Sequence, residues 1–356
     1  MAGGSFGGGT GSELDPYLVE DLADFSQAVN VTDNTNKYFK QVQDISGGSL
    51  SISIGYWEGH YNGDWYTMED ISVTGKGFFG DIDSGTIKNM KIHNCTINSE
   101  QTGVGTIAGE MRKSGSIIEN IICTDCYVYG GGSTGGIVGD VSEGSVLQCY
   151  FSGKVEVLPD YWVVGGIVGT SQPFTGRTAT ISRCGFVGEV IGWGASGGVI
   201  GDMNDRVTMH SSYARGTIGP TNEGGGVSAW SVLHVDHCYF AGTVAAIDQW
   251  SAIDGISPYG ISETSYANFP TESNYRSTTD MQYPYNESNT YINWDFENTW
   301  IIDDTNNDMF PYHRWMIQEE EEEVSLPAYA IWVKKAGAWK NISDIWAKRQ
   351  GRWIKL

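Results

Sequence analysis

The sequence is poor in leucine, with nine in 356 residues. That excludes a leucine-rich repeat. Helical bundles are disfavoured as well: glycine numbers 48, about twice the usual ~7%, and each glycine inside a helix costs about 1 kcal/mol. Cations are also scarce, 21 Lys and Arg against 43 Asp and Glu, a formal charge of −22. Such a chain repels nucleic acid, so no nucleic-acid partner is expected. At 18%, charged residues are too few for a halophilic adaptation. No apolar run approaches the ~18 residues that span a membrane, and the start, MAGGSFGGGTGSELDPY, has neither a basic n-region nor an apolar h-region. Membrane insertion and export through a signal peptide are therefore not expected. The six cysteines read as lacking zinc-type pairing, and no P-loop, GxSxG elbow or Ser/His/Asp order is present. No cofactor is expected.

What the sequence does have is a repeat. Five-residue blocks recur as Lys76-Gly-Phe-Phe-Gly80, Gly105-Thr-Ile-Ala-Gly109, Gly135-Gly-Ile-Val-Gly139, Gly165-Gly-Ile-Val-Gly169 and Gly197-Gly-Val-Ile-Gly201. Weaker copies begin at Gly225 and Asp254, and the starts are separated by 29, 30, 30, 32, 28 and 29 residues. A second block follows, as in Cys149-Tyr-Phe-Ser-Gly-Lys-Val155, Cys184-Gly-Phe-Val-Gly-Glu-Val190 and Cys238-Tyr-Phe-Ala-Gly-Thr-Val244, with Cys126-Tyr-Val-Tyr-Gly130 as a shortened form. Short β-branched runs between glycine turns, at a period near 30, fit one coil of a parallel β-helix. A single coil cannot bury its own apolar face, so neighbours must stack. A propeller would need about 40 residues or more per blade.

The two blocks resemble the GLUG repeat family, over about residues 10 to 315. Asp15-Pro16-Tyr17 with a short helix resembles the family's N-terminal segment, and Tyr38 to Asp44 and Trp57 to Gly63 its first coils. Trp294 to Trp300 and Phe310-Pro-Tyr312 resemble its closing segment. The resemblance implies an all-β fold, a right-handed parallel β-helix (solenoid) of about seven repeats of 28–32 residues. Its expected organisation is an N-terminal segment with first coils in 1–75, repeats in 76–270 and a closing cap in 271–318. Such repeats occur in bacterial surface proteins, secreted proteins and phage proteins, so fold alone does not give function.

The tail differs in character. An acidic linker, 319–326, precedes 327–356, where Ile331 to Trp339 is echoed by Ile345 to Trp353. Alternating apolar and basic residues about a central glycine predict hairpins. This segment carries seven Lys/Arg against Asp344 alone, beside a body of net −28. Short Trp/Lys/Gly hairpin repeats of this kind resemble those ending many phage tail proteins. Trp332, Lys334, Trp339, Trp346, Lys348 and Trp353 are the candidate partner-binding residues.

Three further patterns bear on chemistry. Cys126, Cys149, Cys184 and Cys238, with Ser212, are expected at equivalent places in successive coils, as an inward ladder of free thiols. The residue after the first block is Asp81, Glu110, Asp140, Thr170, Asp202 and Trp230 in turn. Those acids form a solvated corner, a weak candidate metal site for an ion such as Ca²⁺, or a glycosidase pair. His234 and His237, three apart on a strand, read as ordinary surface residues. Tyr161, Trp193 and Trp250 lie four residues before a block start, with Trp162 beside the first. Rows of such rings suit sugar faces, so they are the candidate glycan-binding residues; the alternative is packing at a turn or subunit contact.

The expectation is a non-enzymatic phage virion protein, a tail fibre, spike or tip component, that binds a host cell-surface glycan. It would be assembled in the host cytoplasm beside other virion proteins, as a homo-oligomer, with a trimer as the analogy from other β-helical spikes. A polysaccharide-degrading tailspike enzyme and a bacterial surface adhesin are the alternatives.

Overall fold

The computed structural model describes residues 6–30, 33–52, 55–159, 163–230, 235–249, 266–267 and 276–317, together with four short tail strands. The chain divides into two compact units, Met1–Met316 and Ile317–Leu356. The first is a right-handed parallel β-helix, as the repeat predicts. An 18-stranded sheet wraps most of the circumference, and a seven-stranded sheet, one rung per coil from Tyr56–Trp57 to Ser228–Trp230, closes it. Every pairing between coils is parallel.

Alternation explains the strands. Successive side chains point to opposite faces, and along Gly85–His93 buried Ile87, Met90 and Ile92 are separated by half-buried or exposed neighbours. Where two inward residues are only nominally in phase, a corner intervenes. Asn89, Asn120, Gln148, Arg183, Ser211 and His237 all have φ between 50° and 58° and stack as one such corner. Asparagine tolerates this left-handed backbone better than most residues. Its side chains also bond along the stack: Asn89 donates to Asn62 at 2.9 Å and Asn120 to Asn89 at 3.0 Å.

The glycine blocks mark places where no side chain fits. A Cβ on Gly166 would lie 2.1 Å from the Gly198 carbonyl oxygen and 2.3 Å from the Phe186 ring. That ring belongs to the wall opposite, and it stacks on Phe151 of the previous coil at 6.2 Å and 12°. The middle residues of the same blocks, Ile107, Ile137, Ile167 and Val199, are fully buried.

One end of the core and one side of the solenoid are covered. The helix Leu22–Asn30 begins at Asp21, whose carboxylate accepts from the Asp24 N–H at 2.9 Å, a normal N-cap. It presents Phe25, Ala28 and Val29 inward, and Phe25 packs edge-on against Tyr61, Phe78 and Phe79 at 5.4–5.7 Å. The closing segment, 276–317, builds a second core from Met281, Tyr291, Trp294, Trp300, Phe310 and Tyr312 against the outward faces of Tyr213 and Tyr239. It is fastened to the side of the solenoid across successive coils. Trp315 donates to the Arg183 carbonyl, His313 meets the Ser211 carbonyl at 2.7 Å, and Arg215 donates to Asn307. Tyr239 donates to the Pro311 carbonyl at 2.6 Å. The weak repeat copy at Asp254 lies outside the described residues.

The cysteine ladder needs one correction. All six cysteines are buried, but the four of the expected ladder fall in two columns. Tyr150 pairs with Gly185, Gly185 with Tyr213 and Tyr213 with Tyr239, so Cys149, Cys184, Ser212 and Cys238 share one column. The residue opposite Cys149 in the preceding coil is Ile121, whereas Cys126 stands opposite Gly153. Cys126 instead follows Cys95, since Tyr127 pairs with Thr96. The cause is the extra corner at Asp125, φ 54°, which moves the shortened block one corner further round the coil.

Two outcomes follow from this packing. Gly166→Ala should destabilise by about 1–3 kcal/mol or more through overpacking, read as a lower midpoint in chemical denaturation; an unchanged midpoint would refute the close-approach argument. All six thiols should resist a thiol reagent until the chain unfolds, and Cys184→Arg, which buries an unpaired charge, should abolish stable folding. Rapid labelling of the native protein would contradict the inward assignment.

Candidate functional site

The acid row is real as a register feature of the seven-stranded sheet. Glu110 pairs with Asp140, Asp140 with Thr170, Thr170 with Asp202 and Asp202 with Trp230, while Asp81 pairs with Tyr56 and lies next to Glu110. Equivalent atoms on neighbouring rungs are therefore about 4.8 Å apart.

The row is not the solvated corner expected from the sequence. Asp81 is 4% exposed and is held by Lys76 at 3.0 Å and by Arg112 at 3.1 Å. Arg112 reaches back over two rungs, binds Glu110 at 2.9 Å and lies 4.6 Å above the half-exposed Tyr56 ring. Ser142 Oγ is 3.3 Å from Asp140 and 3.4 Å from Glu110, within hydrogen-bond reach of both. Gln172 donates to the buried Asp202, and Thr170 donates to the Asp202 carbonyl. Burial, then the charge of Glu110, pushes the Asp140 carboxyl up to about 7. Burial likewise pushes Asp202 up to about 6.

This arrangement neutralises acids with cations and shared hydrogen bonds. Among the described residues no group of three or more His, Cys, Asp or Glu is placed to hold a metal ion. Lys76 was legible only as the first residue of a glycine block and Arg112 not at all, and nothing in their spacing announced the pairing. Cys123 and Cys126 do form a C-x-x-C spacing, contrary to the unpaired reading of the sequence. Both are buried inside the coil, and the Cys126 thiol donates to the Thr124 carbonyl at 3.3 Å.

The candidate aromatic row is only partly placed. Trp193 is 61% exposed at a corner, where its carbonyl accepts from Asn222 N–H at 3.1 Å. Tyr161, Trp162 and Trp250 lie outside the described residues, as does His234. Ala195 pairs with Glu223, and Thr221 with Ala246, so the row through Trp193 continues through Thr221 and Ala246. His237 is a left-handed corner residue 3.3 Å from the Asp236 carboxylate.

In the second unit, Trp332–Lys335 pairs antiparallel with Ala338–Asn341, and Trp346–Arg349 with Arg352–Lys355. The hairpins expected from the sequence are present. Lys334 stands opposite Trp339 and Lys348 opposite Trp353, so the two copies share one register.

No family model matches the chain. In an alignment 164 residues long that covers 38% of the chain, the sequence is 26% identical to halomucin of Haloquadratum walsbyi, and the match spans 2% of that protein's length. A solved structure of a candidate immunoglobulin A1 protease from Bacteroides ovatus aligns with 88% of this chain and 96% of its own, at a TM-score of 0.56 and 18% identity. At that identity the likeness establishes the β-helical fold and nothing finer.

The raised Asp140 makes a pH prediction. A carboxyl whose folded pKa lies above its unfolded value favours the fold while protonated, and that contribution is lost as pH rises from about 4 to about 7. Asp140→Asn removes the titration. The variant should melt a few degrees above the native protein at pH 8 and close to it at pH 4. Parallel melting curves across that range would show that Asp140 does not titrate in this window.

Proposed function

We propose that this protein is a non-enzymatic, β-helical binding component of a phage virion, a tail fibre, spike or tip protein that contacts a host cell-surface glycan. The observation that carries the reading is the contrast between the row of acids and the aromatic corner. Asp81 and Glu110 are committed to Lys76 and Arg112, whereas Trp193 projects from a rod whose other large rings are mostly packed. An exposed indole is an interface group rather than a reacting one. The GLUG-like blocks support a surface role, and the paired hairpins at 332–355 support the particle, through their resemblance to the ends of phage tail proteins. In this reading the basic hairpin unit docks on another virion protein or on an anionic host polymer, and the solenoid assembles as a homo-oligomer.

A second reading, a polysaccharide-degrading tailspike, is favoured by one observation: a carboxyl raised to about 7 beside the Arg112-bound Glu110. Pairs of acids pushed apart in pKa are the general acid and nucleophile of glycoside hydrolysis. Release of reducing ends from host polysaccharide, lost in Asp140→Asn, would establish it and remove the non-enzymatic reading.

Purified particles from the source should contain this chain by mass spectrometry, and antibody-gold should mark the tail. Trp193→Ala should lower adsorption of the isolated protein to host cells several-fold with little change in melting temperature. Deletion of 327–356 should leave the solenoid folded, because repeat stability is local, and should abolish incorporation or adsorption. Absence from particles would end the virion assignment. Normal assembly and adsorption of the truncated chain would end the docking role of the tail.

A further inference from the structure

We propose that the outward sheet face centred on Tyr127 and Tyr129 is a binding platform for an extended, uncharged polysaccharide. This rests on the glycan-binding reading above and adds to it a second location, apart from the Trp193 corner.

Tyr127 and Tyr129 are alternate residues of the strand Ser116–Gly135, so both face outward while Cys126 and Val128 face the core. Their rings lie 6.2 Å apart, tilted by 32°. The rung before supplies Thr96 opposite Tyr127 and Asn98 opposite Tyr129. The rung after supplies Lys154 and Glu156 at the same two positions. The first of these rows runs without a break from Ser72 to Thr243 through in-register pairs.

Three features define the ligand. Polar groups recur at every rung, about 4.8 Å apart, so a chain laid across the strands along the rod meets a donor or acceptor at each step. The paired rings offer an apolar, amphipathic floor at the centre, of the kind tyrosine provides at interfaces. At the centre the charges are already spent on each other, and one rung further the row adds the exposed Glu189 carboxylate opposite Lys154. Lys154 binds Glu156 at 2.8 Å and lies 5.5 Å over the Tyr127 ring, and Tyr127 donates to Glu156 at 2.8 Å. A polyanion would meet a self-neutralised centre on a chain of net −22, whereas a neutral glycan needs only hydroxyl contacts and ring faces. The interlocked Lys154, Glu156 and Tyr127 also fix the ring before any ligand arrives, which lowers the ordering cost of binding.

The test uses the full chain with immobilised neutral polysaccharides (glucan, mannan, chitin), anionic ones (alginate, hyaluronan) and whole host cells. The native protein should be retained by at least one neutral polymer. Tyr127→Ala/Tyr129→Ala should lose at least tenfold in affinity, and Tyr127→Phe/Tyr129→Phe should keep most of it. Asn98→Arg, at an exposed position that should not disturb folding, should block the platform and weaken binding as well. Native-like binding by both Asn98→Arg and the double alanine variant, or binding confined to the anionic polymers, would overturn the platform. If those variants still adsorb to host cells as the native protein does, the glycan-binding reading survives and only this location falls. If the native protein binds neither cells nor any polysaccharide, both fall.

Discussion

The structure depends on one constraint, the in-register stacking of coils about 4.8 Å apart around a core only one side chain deep. Each inward group meets its counterparts above and below, and the wall opposite is close enough that the glycine blocks admit no Cβ. Gly166 sits under the Gly198 carbonyl and against Phe186, and similar geometry recurs at Gly136 and Gly198. The blocks are therefore spacers between walls as much as turns. The Phe151–Phe186 stack fills the room that the glycines leave.

Much of this was legible because a solenoid repeats its environment. The period near 30 identified the coil. The terminal hairpins followed from alternation about a glycine. What escaped was set by register within a coil. Cys126 looks like the start of another Cys-Tyr block, yet the left-handed Asp125 places it opposite Gly153. A sequence repeat counts residues, while the coil counts corners, and an added corner shifts everything after it. Spacing from the block start does track the rung from Trp193 to Thr221, each four residues before its block, and departs from it only at Ala246.

The acid row was found for the right reason and given the wrong surroundings. Its alignment follows from the repeat, but its burial and its cations depend on side chains from neighbouring rungs that no spacing rule connects. Lys76 precedes its partner by five residues and Arg112 follows it by thirty-one. Tyr127 and Tyr129 were visible as alternate aromatics within a block, and their surroundings emerged only when Thr96, Asn98, Lys154 and Glu156 came into register beside them.

The closing segment has a further mechanical meaning. A bare solenoid end can fray one coil at a time, since each coil holds only its neighbour. Here Trp315 reaches Arg183, His313 reaches Ser211 and Pro311 receives Tyr239, so one aromatic strap is sewn through successive coils from the side. The coils it spans must loosen together. In hydrogen-exchange terms they should behave as a single opening unit, and a pull on the end of the rod would load the strap in shear rather than peel the last strand away.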